Sequence, residues 1–319
     1  MAKTNILVPE GLRSDYSSVI VSYSNGIDSM GALHWTVQNF PREKIILLYC
    51  DTGMEYPENI KLFYQTAAIM KVRPVLLVPE KQWLELLVTE RLKFPDMKNR
   101  WCTAYLKTDL TDKWIRRHRA ELGTMCLFVS GERRDESKGR AKLPELEYHS
   151  TTLKTKRVAD FTCHWYRPCL DYEKGAMFEK GKELHLEPHP CYEYCSRCSC
   201  MFCMFMNDQH AAANMKKYPE MALEYIKAER KIQHTWKNGK SLESLFCECM
   251  DIDDIEGMMD NEERLQGMGQ CDEGLGDGCF HDKPEGRAAG VWMQRREPVQ
   301  GTETSRREEI HSSSIYRGG

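Results

Sequence analysis

The chain has 319 residues, 41% of them hydrophobic and 29% charged, with a formal net charge of -3. These values exclude a mostly disordered chain and a uniformly basic nucleic-acid coat, although a local basic groove depends on where the charges sit. No run of about 18 apolar residues occurs and no charged-then-apolar leader opens the chain, so the expectation is a cytoplasmic protein with no membrane partner.

In chain order, residues 18–23 (SVIVSY) form a β-branched run, followed by a polar turn at 24–29 and a helix-compatible stretch to residue 40. The rhythm returns with an apolar strand at 44–50, a turn at Asp51-Thr52-Gly53 and a helical stretch at 58–70. Further strands are expected at 74–78 and 125–130. This alternation predicts an α/β domain over residues 1–145, a mostly parallel sheet with helices on both faces. From about Leu143 the pattern changes to loops, hairpin-like pieces and a cysteine-rich turn, then helices at 208–217 and 219–237, giving a second region over 146–250. Residues 251–319 are acidic and then polar, and order is expected there only if a partner or metal holds them.

The loop Ser24-Asn25-Gly26-Ile27-Asp28-Ser29 joins a strand to a helix N-terminus, where free backbone N–H groups and the helix dipole favour an anion. Gly26 permits close backbone approach, Ser24 and Ser29 offer hydroxyls, and Asp28 suits a helix cap or a magnesium ion. A capped helix start with no ligand is the plain alternative.

The loop resembles the S-G-G-x-D-S loop of N-type ATP pyrophosphatases, with Asn25 in place of the first glycine. Residues 51–58 (DTGMEYPE) resemble the D-T-G-x-x-F-P-E-T stretch of the phosphoadenylyl sulfate (PAPS) reductase branch. Residues 131–137 (GERRDES), with Arg140, resemble that branch's G-x-R-x-x-E-S-x-x-R. The resemblance implies an adenine nucleotide alpha hydrolase-like fold that binds ATP or a sulfonucleotide, with magnesium, through residues 24–29, Asp51, Thr52, Gly53, Gly131 and Arg133. It also implies charge stabilisation by Lys107, Arg133 and Arg140, and metal or ribose contacts by Asp28 and Asp51. A guanidinium fits phosphate or sulfate oxygens because its donors are planar and paired.

Five of the fourteen cysteines fall between Cys191 and Cys203. Thiolates are soft ligands, and a C-x-x-C pair with neighbours points to zinc or an iron–sulfur centre, which spacing alone does not separate. Cys102, followed by Lys107, resembles the second cysteine of the C-C region in cluster-bearing adenylyl sulfate reductases, which implies a [4Fe-4S] cluster on Cys102, Cys200 and Cys203. The fourth ligand is then Cys195, Cys198 or Cys191. Residues 197–203 also resemble the cysteine stretch of the ATP-pyrophosphatase component of the Dnd DNA phosphorothioation system. His185, His189 and His210 are further candidates to reach a metal, although lone histidines near loops are more often ordinary surface groups, and a further metal site at Cys247, Cys249, Cys271 and Cys279 fits no standard spacing.

The C-terminal E-C-G-L-H context of thiol-dependent sulfate reductases is missing. The expected activity is therefore adenylation of an acceptor with pyrophosphate release, followed by sulfur transfer from a donor protein. DNA or RNA is the candidate acceptor, with basic aromatic-bearing stretches at 111–119 and 216–240 as candidate contacts. Two alternatives stay open: a PAPS or adenylyl sulfate reductase releasing sulfite, and a non-catalytic nucleotide-binding subunit.

Overall fold

The structure, a computed structural model, describes residues 15–154 and 160–250. All of these belong to one compact unit, Met1–Glu273. The acidic-to-polar segment 251–319, with Cys271 and Cys279, lies outside the described residues.

Strand β1 (Ser18–Ser22) leads through the 24–29 loop into α1 (Ile27–Asn39). There follow β2 (Ile45–Cys50), α2 (Asn59–Met70), β3 (Arg73–Leu77) and the short α3 (Trp83–Leu86). A second short helix, α4 (Trp101–Thr103), continues through a π turn (Ala104–Thr108) into α5 (Asp109–Arg117), and α6 (Arg119–Leu122) precedes β4 (Met125–Val129). The sheet is completed by β5 (Leu146–Tyr148), α7 (Ser150–Lys154) and β6 (Thr162–Tyr166). Four helices close the described chain: α8 (Lys174–Glu183), α9 (Asp208–Lys217), α10 (Pro219–Ile232) and α11 (Leu242–Cys249).

The six strands are ordered β3-β2-β1-β4-β6-β5, and all pair in parallel except β5 against β6. Alternate residues explain why both faces are covered. Val19, Val21, Leu47, Leu127 and Val129 pack with α1 and α2, whereas Ile20, Ile46, Leu48 and Phe128 pack with Ile115 of α5 and Leu122 of α6. Strand order reverses between β1 and β4, and the carboxyl ends of strands at such a switch point are where parallel α/β sheets receive ligands. The 24–29 loop and Gly131 both emerge there.

A second apolar body joins α9, α10 and α11 to the segment around α3 and α4. Trp83 stacks on Trp101 (centroids 5.7 Å apart) and on Tyr225 (5.4 Å). The cysteine loop threads this body, and Trp236 donates its indole N–H to the Phe202 carbonyl at 3.0 Å.

The four expected strands and the first helices form as the sequence pattern predicts, and after Leu143, where loops and hairpin-like pieces are expected, β5 and β6 pair antiparallel and extend the same sheet. TCHWY carries two polar residues in five and lacks the apolar run of the central strands, yet β6 pairs beside β4 along its whole length. Helix α10 stops at Ile232 rather than near residue 237, because Gln233 turns left-handed (φ 52°). Among the described residues no helix is long and apolar enough to cross a membrane.

Buried Glu229 closes that last turn by accepting backbone N–H bonds from Trp236 (2.5 Å), Leu242 (2.8 Å) and Glu243 (3.3 Å). Glu229→Gln sets an amide N–H₂ against these donors. The expected loss is about 1–3 kcal/mol of stability, read from urea unfolding.

Candidate nucleotide and thiol site

The 24–29 loop has the conformation of an anion cradle. Asn25 adopts φ 58°, in the left-handed region where asparagine is among the few tolerated side chains, so it serves where a glycine would otherwise stand. Its Nδ2 donates to the Asn59 carbonyl at 2.8 Å, and its buried Oδ1 has no hydrogen-bond partner. Ser29 Oγ accepts from the Ser24 N–H (3.2 Å) and donates to the Gly26 carbonyl (2.7 Å), drawing the loop into a closed turn.

The loop after β4 presses on it from the side. A Cβ at Gly131 would stand 1.9 Å from the Asp28 carbonyl oxygen, so no larger residue fits without moving the backbone. Two residues on, buried Arg133 donates from Nε to Asp28 (2.7 Å) and from its terminal nitrogen to Asp135 (2.6 Å). Burial holds the Asp28 carboxyl above its ordinary range despite the Arg133 guanidinium. Arg140 pairs with Glu136, which also accepts the Arg133 backbone N–H at 3.0 Å.

The turn after β2 forms the third wall. Asp51 accepts from the Gly53 N–H (3.1 Å), and Gly53 takes φ 80° with Gln82 so close that a Cβ would meet it at 2.9 Å. Glu55 collects the Thr52 N–H (2.9 Å), the Thr52 hydroxyl (2.8 Å) and the Met54 N–H (3.2 Å), and stands 3.6 Å from Lys107 Nζ.

The cysteine loop lies over these walls. Met201 N–H bonds to the Met54 carbonyl (2.8 Å), and the Tyr192 hydroxyl accepts the Ile27 N–H at the start of α1 (3.1 Å). Cys198 Cβ and the Tyr192 hydroxyl would lie 3.8 and 3.6 Å from a Cβ on Gly26, so the two meet the phosphate loop at its glycine.

The cysteines expected as ligands divide into groups. Cys102, Cys200 and Cys203 are electrostatic neighbours of one another. The Lys107 ammonium lies among the Cys200 thiol, the Glu55 carboxylate and the thiols of Cys50 and Cys102, which together hold its pKa above the ordinary lysine value. Burial pushes the Cys200 thiol up to about 12 and raises Cys102 as well. Thiols so placed become thiolates when a cation binds them, and three soft donors beside an ammonium suit an iron–sulfur cluster or zinc. Cys198 pairs with Cys191 and also lies near Cys200 and Lys107, and Cys195 faces the Tyr56 hydroxyl at 3.9 Å. Cys191 is lowered to about 6 by hydrogen bonding from Cys198, then His189 and Tyr56.

His189, expected at the surface, is 1% exposed; its neighbour in that reading, His185, is exposed, and His210 accepts the Ser196 N–H at 3.3 Å. Tyr56, Glu55 and Tyr192 join the site unforeseen. Glu55 and Tyr56, both inside the 51–58 motif, carried a signal, whereas Tyr192 did not. Of the two basic stretches, Arg116 pairs with Asp112, Arg230 with Glu243, and Lys237 and Lys240 with Asp208, so much of their charge is spent on carboxylates. Cys249 packs near Met215, its Sγ 4.0 Å from the thioether sulfur.

A strand–loop–helix turn at the switch point of a parallel sheet, walled by the β2 and β4 loops, stands where parallel α/β proteins bind their ligands. A model of the phosphoadenosine phosphosulfate reductase domain matches residues 18–192, and the chain belongs to that family. Among solved structures it is similar to phosphoadenylyl-sulfate reductase from Candida auris in a phosphate complex, at 12% identity and TM-score 0.41, covering 59% of this chain and 85% of that one. It is also similar to the U34-tRNA thiolase NcsA from Methanococcus maripaludis with its [4Fe-4S] cluster, at 13% identity and TM-score 0.37, covering 79% and 77%. A third, Candida glabrata FMN adenylyltransferase with FAD and inorganic pyrophosphate, has 12% identity and TM-score 0.35, covering 55% and 53%. No curated protein sequence matches the chain.

Gly131→Ala forces the β4 loop off Asp28. Overpacking of this kind costs about 1–3 kcal/mol, so a lowered urea midpoint is expected. An unchanged midpoint would show that the two loops separate freely.

Proposed function

We propose that the protein is an ATP-dependent sulfur-transfer enzyme that adenylates an acceptor and releases pyrophosphate. One observation supports this reading: the cysteine loop lies against the 24–29 loop, with the Tyr192 hydroxyl on the Ile27 N–H and Cys198 against Gly26, and Cys200 of the same loop neighbours Lys107.

In the proposed reaction an acceptor oxygen attacks the α-phosphorus of ATP, the bond to the bridging oxygen breaks, and pyrophosphate leaves with the charge. A sulfur nucleophile at the sulfide oxidation level, brought by a donor protein, then attacks the activated carbon; the C–O bond breaks and AMP departs. Residues 24–29 would hold the phosphates, Asp28 and Asp51 would meet magnesium or the ribose, and Lys107 would offset developing negative charge, with Arg133 and Arg140, paired here with Asp28, Asp135 and Glu136, adding to it as those pairs loosen. An iron–sulfur cluster or zinc on Cys102, Cys200 and Cys203 would supply a thiolate-bound metal at which sulfur can be held. The acceptor class, DNA or RNA, is part of the proposal. Family membership favours one second reading, reduction of PAPS with release of sulfite.

The test is pyrophosphate release from ATP by anaerobically purified protein, with DNA, RNA or sulfate added in turn and PAPS assayed beside them for sulfite. Acceptor-dependent pyrophosphate is expected, reduced about 100-fold or more in Lys107→Ala, the scale of losing one charge-stabilising donor. Sulfite without pyrophosphate would restore the reductase, and neither product, with ATP still bound, would leave a non-catalytic subunit.

A further inference from the structure

We infer that His189, Cys191 and Cys198 form a second metal site, for a borderline-soft divalent cation of the zinc type, separate from the Cys102, Cys200 and Cys203 thiols. One ligand atom from each of the three lies within 4.8 Å of the other two. An imidazole and two thiols are the donor set that zinc takes in tetrahedral protein sites, and three protein ligands leave the fourth position to water or another group.

Local folding brings the three together. His189 precedes the short 3₁₀ turn Pro190–Glu193, and its Nδ1 accepts the Cys191 N–H at 3.0 Å, which fixes imidazole and thiol side by side. Cys198 returns to them after the loop has passed over Gly26. Burial adds the second observation. His189 is 1% exposed and Cys191 0%, yet His189 Nε2 has no hydrogen-bond partner, the nearest carboxylate oxygen, Glu58 Oε1, being 3.8 Å away. An ion among these three side chains would take the Nδ1 lone pair that the Cys191 N–H uses here, and Nε2 would carry the ring proton toward Glu58. Glu58 is then placed as an outer carboxylate, the common support of a metal-bound histidine.

The site has a consequence for the nucleotide loop. Tyr192, one residue from Cys191, holds the Ile27 N–H, and Cys198 rests against Gly26. An ion joining His189, Cys191 and Cys198 would therefore fix the cysteine loop onto the phosphate loop from one side, leaving Cys102, Cys200 and Cys203 to their own centre around Lys107.

The experiment is elemental analysis of the full chain, purified without oxygen from cells supplied with iron and zinc. About one zinc per chain is expected in the wild type, retained when Cys102, Cys200 and Cys203 are all changed to Ser, and lost in His189→Ala and Cys191→Ser. Since either single variant could unfold, Co²⁺ is also added to metal-stripped wild type and Cys198→Ser, with circular dichroism confirming the fold. Thiolate-to-cobalt absorption is expected in the wild type and weakened in Cys198→Ser. Zinc lost with the Cys102, Cys200 and Cys203 changes, or cobalt absorption that Cys198→Ser leaves intact, would overturn the site. Iron content and pyrophosphate release are read separately, so failure of the zinc site and failure of the sulfur-transfer reading give different results.

Discussion

The backbone of Gly131 lies so close to the Asp28 carbonyl that even a methyl group would stand 1.9 Å from the oxygen. This contact locks the loop leaving β4 to the loop leaving β1 across the switch point of the sheet, and it orients Arg133 so that one guanidinium bridges Asp28 and Asp135. The remainder of the site is built outward from that junction. The left-handed Asn25 and the Ser29 hydroxyl shape the cradle, while the β2 turn closes it through the hydrogen bonds collected by Glu55.

The second region supplies what the sheet alone lacks. Its helices form an apolar body around Trp83, Tyr225 and Trp236, and that body holds the cysteine loop against the cradle through the Met201–Met54 and Tyr192–Ile27 hydrogen bonds. Cys198 thus sits over the 24–29 loop, and it, Cys102, Cys200 and Cys203 are half-buried, a setting where thiolates need a counter-charge. Lys107, carried on the π turn between α4 and α5, is one such charge. The cysteine loop and the 24–29 loop thus touch directly, at Tyr192 on Ile27 and Cys198 on Gly26.

Much of the architecture was legible in the sequence because the central strands are continuous apolar runs: SVIVS, IILLYC and MCLFV are buried on both faces and read clearly. TCHWY was not legible, since its place beside β4 depends on partners far away in the chain. The glycine and asparagine positions of the loops were also readable, because turn chemistry is local. His189 was misjudged as a surface group: nothing in its neighbours announces burial, and the structure packs its ring 4.9 Å from that of Tyr56. Cys198 stood with Cys195 and Cys191 as a candidate fourth ligand, and only the chain path shows that it lies beside Cys191 and His189. Tyr192 had no signal at all, because its role lies in one hydroxyl meeting a helix start 165 residues away.

The account stands on the union of cradle and thiols, and the most direct measurement is site-resolved alkylation of the metal-stripped protein, followed by mass spectrometry as ATP and magnesium are added. Cys198, Cys200 and Cys203 should react more slowly as nucleotide fills the cradle beneath them, while Cys247, on α11, should react at an unchanged rate. Alkylation of all four at rates indifferent to saturating ATP would contradict a shared site.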